Sequence, residues 1–162
     1  SSRGERLRNV AVKPGCDDRL FESTVRECGL DFAAQIKPDA VVVTCGADAL
    51  AGDPLSTMQI SNETLWRATE QSVASADKAV VLGGGGYTPW TLARCWTGLW
   101  GRLAGFQLPA ILPTKAQQIL CALECDLIDD DEIPARWNQS LSDHDQSSSV
   151  NKPAGKDKRF EQ

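Results

Sequence analysis

Two short apolar runs, Ala40-Val41-Val42-Val43 and Ala79-Val80-Val81-Leu82, most constrain what this chain can fold into. Neither contains a charge, so each reads as a strand buried on both faces, the pattern of parallel sheets in α/β proteins. Each is followed at once by a loop rich in small residues, Cys45-Gly46-Ala47-Asp48-Ala49-Leu50-Ala51-Gly52-Asp53-Pro54 after the first and Gly83-Gly84-Gly85-Gly86-Tyr87 after the second. Open α/β sheets place ligands at the carboxyl ends of their strands. Asp48 and Tyr87 are therefore expected to face one crevice.

The stretch between the runs completes the unit. Ser61 is placed to cap a helix whose apolar positions are Leu65, Ala68, Val73 and Ala76, giving strand, helix, strand. Before it, Asn9-Val10-Ala11-Val12 reads as a strand closed by Pro14-Gly15. From Asp17, a cap, Phe21, Val25, Cys28, Phe32 and Ile36 recur at helical spacing and predict one buried face, with Gly29 a weak point inside it. After it, Thr88-Pro89 reads as cap and first helical residue of a helix ending at Gly105, with Leu92, Trp96, Leu99, Trp100 and Leu103 predicted as its buried stripe. A further short helix is predicted from Thr114 to about Cys125, with a solvated loop at Asp129-Asp130-Asp131.

Composition excludes several classes of function. A formal charge of -5 offers no electrostatic footprint for nucleic acid or an anionic membrane surface. No run of apolar residues is long enough to span a bilayer, and Ser1-Ser2-Arg3-Gly4-Glu5-Arg6 lacks the apolar core of a secretion signal. The 6 cysteines show no compact disulfide spacing and read as reduced thiols, which points to a cytoplasmic protein. Cys121 and Cys125, with no second pair, read as helix packing rather than a metal site.

A carboxylate at a strand end is costly to bury unless it is paired, hydrogen-bonded or bound to a cation. Asp48 fits that description or a plain turn aspartate, whereas Asp53, inside Gly52-Asp53-Pro54, reads as ordinary turn chemistry. Consecutive glycines allow close backbone approach and positive φ, setting Tyr87 on a defined path out of the sheet. They do not spell either glycine-rich phosphate motif, which leaves a nucleotide-binding reading with the glycines alone.

Taken together, Cys45 to Leu55, then Leu82 to Thr88, then Ala93-Arg94-Cys95-Trp96-Thr97, resemble in order the carboxyl-terminal part of the zinc-dependent histone deacetylase family, which includes the bacterial acetoin-utilisation deacetylases. Asn9 to Val12 with Pro14-Gly15, and Lys37-Pro38-Asp39, extend the resemblance over roughly residues 8 to 106. It implies an arginase-like, three-layer α/β fold with a central parallel sheet and zinc at the strand ends. It further implies hydrolysis of an N-acetyl amide, on acetyl-lysine or a small acetylated amine. By this resemblance Asp48 matches a zinc-binding aspartate and Tyr87 the catalytic tyrosine. Pro54 and Leu55 match the mouth of the acyl tunnel, and Gly84, Gly85 and Gly86 its wall.

The family's other ligands and its tandem acid–base histidines match nothing here, and the single histidine, His144, reads as a solvated tail residue. Together with the Ser-Ser-Arg opening, this predicts that the natural start lies upstream and that residues 1–125 are the C-terminal part of a deacetylase domain. The N-terminal part of that domain is the expected partner, and the chain alone is expected to be inactive and poorly soluble. Residues 126–162 are expected to be a polar, disordered tail, since from about Leu141 almost nothing apolar is left to bury. The alternative is a non-catalytic binding module built on the same fold.

Overall fold

A computed structural model describes residues 2–4 and 7–144. An antiparallel ribbon opens it, β1 (Ser2–Gly4) against β2 (Leu7–Asn9). The strand thus lies earlier than Asn9-Val10-Ala11-Val12 predicts, and Val10 to Val12 continue without a ladder. The Asp17 side chain caps α1 (Asp18–Thr24) by accepting from Leu20 N at 2.9 Å. The helix then widens into a π-helical segment over Val25–Leu30, which contains Gly29, and resumes as α2 (Asp31–Ile36). Lys37, in the left-handed region at φ 49°, ends it before Pro38.

β3 (Ala40–Thr44) and β4 (Lys78–Leu82) pair in parallel, Val42 opposite Val80 and Thr44 opposite Leu82. Between them α3 (Asn62–Val73) is capped by Ser61, whose hydroxyl accepts from Thr64 N. Leu65 and Ala68 are buried as predicted, but Ala76 lies past the end of the helix. Val43 and Val81 pack toward the core. On the other face Val42 (67% exposed), Val80 and Leu82 lie open, so the runs are buried on one side and not on both. A sheet two strands wide also leaves α1 and α2 with little to cover: Phe21 packs against the core, whereas Ile36 is exposed.

α4 (Pro89–Leu103) begins at Thr88, whose side chain accepts from Thr91 N. Its buried positions are Trp90, Thr91, Arg94, Cys95, Gly98, Leu99 and Gly101. The predicted stripe is therefore corrected: Leu92, Trp100 and Leu103 are exposed, and only Leu99 of the set is fully buried. Helical spacing marks an apolar stripe, but the wider packing sets which stripe turns inward. Here Trp66 of α3 lies against Gly98, where any Cβ would collide with the indole ring, and its Nε1 donates to Cys95 O at 2.8 Å. That contact rotates Gly98 and Cys95 into the interior.

The second force on α4 comes from the segment expected to be a tail. After α5 (Thr114–Cys121), which stops short of Cys125, short 3-10 turns at Asp130–Glu132 and Ala135–Asn138 lead to a stretch that straps α4 and α3. Trp137 and Leu141 are buried in the core cluster, so the packed structure does not end at Cys125. Arg94, 1% exposed, donates to the carbonyls of Ser140 (2.7 Å) and Ser142 (3.1 Å) and pairs with the Asp143 carboxylate at 2.7 Å. Asn62 on α3 donates its side-chain amide to Leu141 O and its backbone N–H to Asp143. A polar sequence can pack when buried side chains satisfy its backbone. The reading of residues 145–162 as disordered lies outside the described residues.

Among the described residues no helix is long and apolar enough to cross a membrane. All 6 cysteines are free thiols. Burial pushes the Cys95 thiol up to about 12 and also raises Cys45, while Cys121 is exposed.

Two outcomes follow from this packing. Replacing Arg94 by Met leaves one oxygen of Asp143 and the carbonyls of Ser140 and Ser142 without their donor and is expected to lower the unfolding free energy by about 3–5 kcal/mol. Urea unfolding reads the change, and a loss under about 1 kcal/mol would show that the strap is not anchored by this residue. Because the thiolate is the reactive form, brief iodoacetamide treatment near pH 8 should label Cys121 and spare Cys45 and Cys95 until the chain is unfolded. Peptide mapping checks the order.

Candidate active site

The two strand-end loops run side by side because the parallel ladder continues past the strands. Cys45 N donates to Leu82 O at 3.0 Å, and Ala47 N donates to Gly85 O at 2.7 Å. Between them the backbones nearly touch: a Cβ on Gly84 would sit 2.9 Å from both the N and the Cα of Gly46. Side chains at these two glycines would separate the loops, which accounts for small residues at both strand ends.

Asp48 sits in a 3-10 turn, Ala47–Ala49, immediately after that contact. Its carboxylate is folded between Gly46 and Gly85, and a Cβ on either glycine would collide with a carboxylate oxygen. The side chain is half-buried and accepts no hydrogen bond from the described residues, which suits an oxygen donor to a cation. Gly86, at φ 141°, brings the chain over Ala47 and into Tyr87. Tyr87 is 45% exposed, and the next residue, Thr88, is already the cap of α4. Asp48 and Tyr87 are thus carried on adjacent loops tied backbone to backbone.

The remaining residues implied by the resemblance fall around this pair. Gly85 and Gly86 line the Asp48 turn, and Gly84 abuts Gly46. Pro54 and Leu55 are exposed, Leu55 at 64%. His144, also mostly exposed, has its Nε2 3.5 Å from Asp18 and 4.0 Å from Glu63 and takes no part in the two loops. Among the described residues no group of three His, Cys, Asp or Glu side chains gathers to hold a metal. As a zinc site the chain thus fits as the donor of one carboxylate, while catalytic zinc sites use three protein ligands.

Asp53 is the residue whose part the turn reading hides. It is 5% exposed, and its two oxygens accept from different segments, Oδ1 from Leu55 N at 3.0 Å and Oδ2 from Tyr87 N at 2.8 Å. Gly52 beside it, at φ 92°, lies directly under the Trp137 ring, 2.6 Å from where a Cβ would stand. Trp137 carried no signal in the sequence beyond its type, because it falls in a segment with little apolar patterning.

Comparison with known proteins accords with this geometry. The family model described as the histone deacetylase domain matches residues 2–103. Histone deacetylase clr6 of Schizosaccharomyces pombe is 34% identical over 105 residues, 65% of this chain and 26% of that protein. Type-1 histone deacetylase 1 of Dictyostelium discoideum is 38% identical over 89 residues, 55% of this chain and 18% of that protein. A crystal structure of an HDAC homolog complexed with SAHA superposes with a TM-score of 0.77 at 29% identity, over 84% of this chain and 37% of that one. A crystal structure of an HDAC homolog from Aquifex aeolicus gives 0.73 at 29% identity, with the same coverage. The chain spans about a quarter or less of these two curated relatives. By the domain model, the relatives and the shared α/β architecture with its parallel sheet, of the arginase-like kind, this chain belongs to the histone deacetylase family.

Proposed function

We propose that this chain supplies the Asp48 carboxylate and the Tyr87 phenol to a zinc-dependent deacetylase site that hydrolyses an N-acetyl amide, on acetyl-lysine or a small acetylated amine. The observation that carries the reading is the pair of stitched loops, which hold a carboxylate without a hydrogen-bond partner among the described residues next to the glycine segment leading into the tyrosine. The other ligands and the acid–base groups come from the N-terminal part of the same domain, outside the described residues.

Zinc, when bound, polarises the amide carbonyl and acidifies a water molecule. The tasks of this chain's own residues are positional and electrostatic. Asp48 offers a carboxylate oxygen that Gly46 and Gly85 leave room for. Tyr87 offers an O–H to the oxygen on which negative charge develops as the carbonyl becomes tetrahedral. Gly84 to Gly86 form one wall of the acyl passage and Pro54 with Leu55 its rim.

The open sheet face supports the dependence on an absent part. Val42, Val80 and Leu82 form a row of exposed apolar side chains on paired strands, the kind of surface a further layer covers. A second reading, a binding module without catalysis, is favoured by the incomplete ligand set: among the described residues no group of three His, Cys, Asp or Glu side chains gathers around Asp48.

Zinc content per chain and hydrolysis of an acetyl-lysine peptide, measured on this chain and on the chain extended upstream along its reading frame, separate the two. The expected result is zinc and turnover in the extended form only. There, Tyr87→Phe is expected to keep zinc and lose about 10²–10³ in rate. Full activity in Tyr87→Phe would remove the oxyanion role, stoichiometric zinc in the short chain would relocate the ligands, and an extended form with neither zinc nor turnover would favour the binding module.

A further inference from the structure

The buried carboxylate of Asp53 does more than close a turn. A turn at Gly52-Asp53-Pro54 requires one acceptor, and the bond from Leu55 N to Oδ1 is of that local kind. The second oxygen reaches 34 residues along the chain to the backbone N–H of Tyr87. Asp53 is in no ion pair among the described residues, so these two amides are what stabilise its charge in a nearly closed site.

The backbone around Tyr87 shows why such a bond matters. Upstream, Gly86 at φ 141° occupies a region that glycine enters freely and that does not itself restrict the chain. Downstream, Thr88 is held by its own bonds to Thr91 and by the start of α4. Tyr87 is thus a single hinge residue between four glycines and a helix. Its phenol has no hydrogen-bond partner among the described residues, so the direction of its side chain is set from the backbone. The Asp53 bond fixes the plane of the Gly86–Tyr87 peptide, and the Trp137 ring closes over Gly52 to hold Asp53 in place.

We propose that Asp53 is a positioning residue for Tyr87: its buried carboxylate clamps the Tyr87 amide across the two loops and thereby aims the phenol. The proposal rests on the deacetylase reading only where it speaks of rate; the clamp itself is a statement about one amide. A reacting group misplaced by about 1 Å can lose about 10²-fold in rate, so the clamp acts on turnover more than on binding.

The chain contains 1 tyrosine, so labelling with ¹⁵N-tyrosine gives one amide resonance, that of Tyr87. In the wild-type chain this amide is expected downfield and protected from exchange; an amide exchanging at the unprotected rate overturns the clamp without any variant. Asp53→Asn keeps the shape but loses the charge and one acceptor. The resonance is expected to move upfield and exchange about 10-fold faster. In the extended, zinc-loaded enzyme kcat is expected to fall about 10–100-fold with KM and zinc content unchanged.

An unchanged kcat beside a shifted amide overturns the positioning role, and so does a loss of zinc that accounts for the lost rate. If the wild-type enzyme hydrolyses no acetyl-lysine peptide while the amide is protected and Asp53→Asn frees it, the deacetylase reading fails and the clamp stands.

Discussion

The closeness of two backbones at the strand ends is the constraint from which the rest of this structure follows. Gly46 and Gly84 approach until no side chain fits between them, and the ladder bonds from Cys45 and Ala47 continue across the gap. Three consequences share that cause. The Asp48 turn is pressed against Gly85, the glycine run is led over Ala47, and Asp53 comes within reach of the Tyr87 amide. Glycine is costly in a folded chain because it has most freedom to lose, and here that loss is accepted at both strand ends. What it secures is the absence of side chains between Asp48 and the segment that carries Tyr87.

The loops would be loosely held were they supported by β3 and β4 alone. A sheet two strands wide gives its loops one packed face, through α3. The remaining support comes from the strap over residues 135–143, which acts at two points. Trp137 covers Gly52, and Arg94 gathers the carbonyls beyond it. Because Arg94 stands on α4 less than two turns after Thr88, the strap, the helix start and the tyrosine form one mechanical unit. The buried guanidinium is tolerable since it meets carbonyl oxygens and one carboxylate in place of water. It reaches polar backbone that the apolar contacts of Trp137 and Leu141 leave unsatisfied.

Legibility from sequence divides along a physical line. The caps at Asp17, Ser61 and Thr88, the parallel runs and the loops after them follow from local chemistry, and they stand where the residues place them. The inward face of α4 depends on Trp66 finding Gly98, a contact between positions far apart in the chain, so helical spacing selected Leu92, Trp100 and Leu103 instead. The strap was hidden for the complementary reason: hydrophobic patterning sees apolar burial, and Ser140 to Asp143 are held mainly by hydrogen bonds to Arg94, Asn62 and Glu63. Asp53 shows the limit most plainly. Its bond to Leu55 is what a turn aspartate makes, and nothing in Gly52-Asp53-Pro54 announces that the other oxygen has a partner on the second loop.

That last case bears on how the two kinds of site residue arise. Asp48 is set off by what surrounds it, a carboxylate folded against two glycines that accepts no hydrogen bond from the described residues. Asp53 is set off by the opposite: two donors and 5% exposure. A carboxylate that must bind something has to keep its oxygens available, and one that must hold something has to use both. The two aspartates lie five residues apart on one loop, one half-buried and the other 5% exposed. The loop that carries Asp48 against Gly46 and Gly85 is the same loop whose Asp53 accepts from the Tyr87 amide.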